Sequence, residues 1–329
     1  MVNKIYSKIK EFIKENLVFF VLPIVVFVVL SIPLPYYVDA PGGIISLNNK
    51  VNVVNGKNIN GNINITYVSV YDGNIGTYLL SRFNKEWDLV PSKEVQVGTE
   101  DRSDVKVRNK LLLDNSLSNA YYAVYNYLGK DLDLLSSDIR VLYINENADT
   151  NIQVGDKILK IDNNDIKDID DILNYLALKN IGDKLKVIVN NGEERYVTVG
   201  TLDGKKSFLI SVICNYDYEN DVIFKFNNSE SGPSGGVMIA LSILDQYTEE
   251  DLIKGRNIAG TGTIDINGNV GEIGGIKHKI IGASKSNVDI FFLPYENYEE
   301  ARTLVDTNNY DINLVPVKTF SEVVEYLSK

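Results

Sequence analysis

The sequence predicts an α+β protein with an N-terminal transmembrane helix and more than one folded unit behind it. Three observations carry that expectation. An uncharged apolar run opens the chain, segments of alternating apolar and polar residues follow around Asn-Gly pairs, and strand-like and helix-like segments alternate after Leu209. The 329 residues, 44% hydrophobic and 23% charged, suffice for more than one core. A net charge of −11 argues against a phosphate-binding surface, so no nucleic-acid partner is expected. Cys214 and His278 are the single cysteine and histidine. They exclude an internal disulfide and a metal site made of several thiols or imidazoles, and neither metal nor cofactor is expected.

The apolar run, residues 17–34 (LVFFVLPIVVFVVLSIPL), has Ser31 as its one polar side chain. Eighteen helical residues would span about 27 Å, close to the hydrocarbon thickness of a bilayer. Tyr36 and Tyr37 fit an interfacial belt, and Lys4, Lys8, Lys10 and Lys14 lie upstream. The positive-inside rule makes 1–16 a cytoplasmic segment, 17–35 a single-pass anchor in the cell membrane, and the remainder extracellular. A cleaved signal peptide is the competing reading; Val38 and Ala40 have the right spacing, but Pro41 would obstruct cleavage. A buried core helix is the third.

Residues 36–128 form the first outer part. Alternation over 51–70 around Asn55-Gly56 and Asn60-Gly61 predicts a hairpin. Leu117, Tyr121, Val124 and Leu128 then predict a helix over 115–128, capped by Ser116 and ended by Gly129. Residues 129–205 form a second unit. It has a strand at 139–144, a VGDKILKIDNNDI stretch at 154–166, a helix capped by Asp168, and a hairpin turning at Asn191-Gly192. This order resembles a PDZ domain, although the carboxylate-binding loop is not recognisable near Leu134 and Asp138. The resemblance implies capture of extended peptides at a sheet edge. Residues 206–329 read as strands at 289–293 and 312–317 alternating with helices at 298–305 and 321–327.

Two motifs carry chemistry. Ser231-Gly232-Pro233-Ser234-Gly235-Gly236 precedes the apolar stretch VMIALSILDQY, so Ser234 stands at a helix N-terminus, where free amides and the positive dipole end gather. A serine there can act as a nucleophile with Gly232 and Ser234 as oxyanion donors; Pro233 has no N–H. The same residues also read as an ordinary loop with a capping serine. The second motif, GTGTIDINGNVGEIGGIKHKIIGASKS at 260–286, places Lys277, His278 and Lys279 on one helix. An ordinary lysine is only about 0.04% neutral at pH 7, so a lysine base requires burial among residues such as Ile276, Ile280, Ile281 and Ala283. On the helical wheel His278 points away from the apolar face and is expected at the surface. Lys277 and Lys279 flank that face on opposite sides, and the wheel does not choose between them.

Gly-Pro-Ser-Gly-Gly, Thr-Gly-Thr-Ile, Gly-x-Val-x-x-Ile-Gly-Gly-Ile-Lys-x-Lys and Phe-Leu-Pro-x-Glu-Asn together resemble the proteolytic domain of Lon proteases. The resemblance implies that Ser234 is the nucleophile, that Lys279, the second lysine of Lys-x-Lys, is its base, and that Thr261 hydrogen-bonds the lysine. An alanine is usual where this chain has Gly235. The arrangement, with Pro41-Gly42-Gly43 behind the apolar run, is similar to membrane-tethered, PDZ-bearing Lon-like proteases, with the PDZ-like part inserted in the protease domain. Ring-shaped homo-oligomers are implied by the same analogy.

The expected function is an ATP-independent serine endopeptidase acting on peptides or proteins. The stretch at 200–207 (GTLDGKKS) departs from the spacing of a phosphate-binding loop. The alternative is a non-catalytic, membrane-tethered peptide-binding module. A Ser-His-Asp hydrolase would depend wholly on His278.

Overall fold

The computed structural model describes residues 11–130, 137–217 and 221–329. Lys4, Lys8, Lys10 and Leu134 lie outside the described residues. The chain divides into two compact units, Met1–Ala40 with Ser69–Glu94, and Pro41–Val68 with Val95–Lys329.

In the first unit the apolar run is helical only over Leu17–Leu30. Fourteen residues make about 21 Å, well short of a bilayer's hydrocarbon core. The helix stops where Ser31 donates back to Phe27 and Val28. Pro33 and Pro35 have no amide with which to continue it, and a strand, Pro33–Ser46, begins at once. Among the described residues no helix is long and apolar enough to cross a membrane. The expected anchor is therefore corrected: hydropathy counted Ser31 to Leu34 into a span that the backbone has already left. The inferred cell-membrane topology, with its extracellular catalytic part and its membrane partner, rested on that anchor and falls with it. Tyr36 to Asp39 pair antiparallel with Asp88–Pro91. A short helix, Ile75–Phe83, starts at a capping box formed by Asn74 and Thr77.

In the second unit, four parallel strand segments lie side by side. Residues 62–65 of the strand Asn62–Asn74 pair with Asn257–Gly260, which pairs with Ile290–Pro294, which pairs with Leu314–Val317. The predicted 51–70 hairpin does not form. Asn55 does turn the chain, at φ 62°, but Val51–Val53 pairs with the distant Val222–Phe224, and the strand after the turn joins the parallel sheet.

The helix Gly236–Tyr247 is buried from Gly236 through Gln246, which explains why residues 236–241 are apolar on all sides; Ser242, Asp245 and Gln246 are the polar side chains buried with them. Each fully buried Met, Ile or Leu in it contributes about 1.5–3 kcal/mol. Packed against it is a helix much longer than the sequence suggested, Arg102–Tyr127. Its true cap is Asp101, whose carboxylate accepts from the amides of Ser103 and Asp104, while Ser116 sits buried mid-helix. Gly129, at φ 67°, ends it as expected.

A second core gathers Ile139, Val141, Ile158, Ile161, Val187 and Val197, with Phe208, Ile210 and Val212 joining it. It is built on a four-stranded antiparallel sheet ordered Asn164–Asp165, Ile158–Ile161, Lys184–Val189, Glu193–Thr198. Beside this sheet, Ser137–Ile144 pairs with Ile210–Tyr216. Asp168 caps the helix Ile169–Ala177, accepting from the Asp171 amide at 2.8 Å.

Candidate active site

Three elements build the site. The first is the turn ahead of the Gly236–Tyr247 helix. Gly232 takes φ 92°, open to glycine at no cost, and donates its amide to the Asn109 carbonyl at 2.8 Å. Ser116 Oγ donates to the Pro233 carbonyl at 3.0 Å. The long Arg102–Tyr127 helix thus pins the turn at two points and fixes where Ser234 emerges. A Cβ on Gly236 would stand 2.7 Å from Ile264 Cγ2 and 2.8 Å from Ser116 Oγ, so this position must be glycine. A Cβ on Gly235 would meet Ile65 at 3.1 Å, tight yet close to acceptable.

The second element is the end of the Asn257–Gly260 strand. Thr261 is fully buried; its amide donates to the Phe292 carbonyl at 2.9 Å. Its hydroxyl donates to the Ser234 carbonyl at 3.0 Å, and the Gly262 amide donates to the same carbonyl at 2.7 Å.

The third is the helix Ile276–Ser284. Lys279 is 3% exposed, and its Nζ donates to Thr261 Oγ1 at 3.0 Å. Burial pushes its amine down to about 7, from an ordinary 10.5. Near pH 7 roughly half of such an amine is neutral, about a thousandfold more than for a solvated lysine. Two hydrogen bonds therefore run from the Lys279 amine through the Thr261 hydroxyl to the Ser234 backbone.

The structure brings Ser234, Thr261 and Lys279 together. The Gly232 amide is committed to Asn109, and the amides of Ser234 and Gly235 have no backbone acceptor among the described residues. Lys277 is half-buried on the same helix. His278, expected at the surface, is 3% exposed. The wheel assumed one buried face, whereas Ile276, His278, Lys279, Ile280, Ile281, Gly282 and Ala283 are all buried. Asn109 was not singled out from the sequence, and Ser116 was read there only as a helix cap; Asn109 acts through its backbone carbonyl, which leaves no side-chain signal, and Ser116 through a hydroxyl buried mid-helix.

Residues 227–328 match the family described as the Lon protease (S16) C-terminal proteolytic domain. Among curated proteins, the Lon protease of Aster yellows witches'-broom phytoplasma is 35% identical over 94 residues, 29% of this chain and 12% of that protein. The Lon protease of Mesomycoplasma hyopneumoniae is 30% identical over 119 residues, 35% of this chain and 13% of that protein. The chain thus spans about an eighth of the length of these relatives. Among solved structures, a PDZ domain of an SdrC-like protein from Listeria monocytogenes matches 23% of this chain and 87% of its own, at 23% identity and a TM-score of 0.21. The last third of the chain, residues 227–328, carries a Lon-type proteolytic domain, the serine-peptidase domain of a Ser-Lys dyad family.

Proposed function

We propose that this protein is an ATP-independent endopeptidase in which Ser234 is the nucleophile and Lys279 the general base. The observation that carries the reading is the buried Lys279 amine, held by Thr261 beside the Ser234 turn. In its neutral form Lys279 takes the Ser234 hydroxyl proton as the oxygen attacks a peptide carbonyl. The protonated amine then delivers that proton to the leaving nitrogen, and water hydrolyses the acyl-enzyme by the reverse exchange. The Ser234 and Gly235 amides, at the positive end of the Gly236–Tyr247 helix, stabilise the oxyanion. Independence from ATP is supported by the 200–207 stretch, which folds as a hairpin of Gly200–Leu202 against Lys205–Ser207 rather than as a loop opening a helix. The inserted unit with the second core serves as a PDZ-like module that positions extended substrate segments, a role supported by the order of its strands and its capped helix.

The pH dependence tests this mechanism. The base works only when unprotonated, so kcat/KM for an unstructured polypeptide should rise about tenfold per pH unit below about 7 and level off above it. Cleavage that is unchanged between pH 5 and pH 8 would contradict a lysine base.

A further inference from the structure

The Lys279 helix meets its neighbours through glycines. A Cβ on Gly282 would stand 2.9 Å from the Gly43 backbone nitrogen and 3.0 Å from its Cα, so the helix rests directly on the Gly42–Gly43 backbone. The other side of that contact is equally stripped of side chains. A Cβ on Gly42 would lie 2.4 Å from the Tyr67 carbonyl oxygen and 2.5 Å from the Tyr67 ring. At the opposite end of the helix, its cap residue Gly275, at φ 68°, approaches Val68, where a Cβ would lie 2.8 Å from Cγ2. Lys279 donates its amide to the Gly275 carbonyl and precedes Gly282 by three residues, so the three positions share one stripe of the helix. The stripe bearing the base is covered at both ends by close approaches, to backbone at Gly282 and to the Val68 side chain at Gly275.

We propose that Gly282, with the Gly42–Gly43 segment beneath it, is a positioning residue for the reaction: the glycine-to-glycine contact clamps the helix down and keeps water from the Lys279 amine. The assignment rests on the reading of Lys279 as the base. No charge competes with burial as the cause of its depressed basicity. Residues 41–46 carry no ionisable side chain, and residues 62–68 carry only Tyr67. The Tyr298–Asn308 helix on the other flank presents Tyr298, Glu299, Glu300, Arg302 and Asp306, and the Lys279 helix itself adds Lys277 and His278. Because the neighbour at Gly282 is backbone, a methyl group there cannot be absorbed by a rotamer change. The helix must lift by about half an ångström to restore van der Waals distance, which admits water along the lysine's stripe.

The test is the pH profile of kcat/KM for the full chain and for Gly282→Ala. The variant's acid limb should move up by about one pH unit. Activity would then fall about fivefold at pH 7 and remain nearly unchanged at pH 9, where both amines are neutral. Tyr67→Ala, which uncovers Gly42 without inserting an atom, should move the limb in the same direction and serves if Gly282→Ala does not fold. Equal loss at pH 7 and pH 9, or an unmoved limb in the folded variants, overturns the positioning role while leaving Lys279 as the base. Full activity of Ser234→Ala would instead remove the underlying reading.

Discussion

Ser234→Ala should lower kcat by a factor on the order of 10⁴–10⁶, the loss seen when a serine nucleophile is removed from a hydrolase, while leaving the fold intact. The selectivity follows from which atoms of Ser234 serve the structure. Its carbonyl receives the Thr261 hydroxyl and the Gly262 amide, and alanine keeps that carbonyl. The turn is otherwise held by Gly232 on Asn109 and by Ser116 on Pro233, neither of which involves the serine side chain. The melting temperature should therefore move by no more than about 1 °C, under about 1 kcal/mol in a protein of this size. Turnover of an unfolded protein and a thermal melt, run on the same preparation, check both halves. Cleavage at the wild-type rate would rule out Ser234.

Lys279→Met should also abolish turnover, yet it should raise stability at neutral and acidic pH. The sign follows from proton linkage. In the folded chain the amine titrates at about 7; in the unfolded chain it titrates near 10.4. Between those values the unfolded state binds more protons, so stability rises with pH across that window. Below about 7 the cost of burying the lysine is fully present, roughly 5 kcal/mol for a depression of this size. Methionine has similar length and no charge, and it gives up only the hydrogen bond to Thr261, worth about 1 kcal/mol. After allowance for imperfect packing, the variant should be about 1–3 kcal/mol more stable at pH 6, with the advantage gone by pH 10. Denaturant unfolding at the two pH values measures this directly. A variant less stable at both would mean that burial does not depress the basicity of the lysine.

The serine-peptidase character of the last third of the chain was legible in the sequence because its signals are local. A Gly-Pro-Ser-Gly-Gly turn before an apolar helix, and lysines on a helix after a glycine-rich turn, each depend on a few adjacent residues. Burial then distinguishes Lys279 from Lys277, which the helical wheel leaves equivalent: Lys279 is enclosed with its amine bonded to Thr261, whereas Lys277 is only partly buried. What remained hidden depends on distant chain. The Arg102–Tyr127 helix looked half its length because its first turns, RSDVKVRNK, show no apolar period, and only the Asp101 cap marks its start. Val51–Val53 has the pattern of a hairpin strand but finds its partner at Val222–Phe224, far along the chain. The apolar run at 17–34 carries the composition of a membrane span, yet composition does not register that Ser31 and two prolines end the helix early. His278 was misplaced for a related reason: the wheel describes one helix and is silent on neighbours that cover its second side.

The central claim is that Ser234 is made nucleophilic by a neutral, buried Lys279. The most direct measurement is covalent labelling with a β-lactone that acylates activated serines, followed by mass spectrometry of the digested protein. The label should fall on the peptide containing Ser234, its rate of attachment should rise through a midpoint near pH 7, and Lys279→Met should take up none. Labelling of a different residue, or labelling of Lys279→Met at the wild-type rate, would contradict the account.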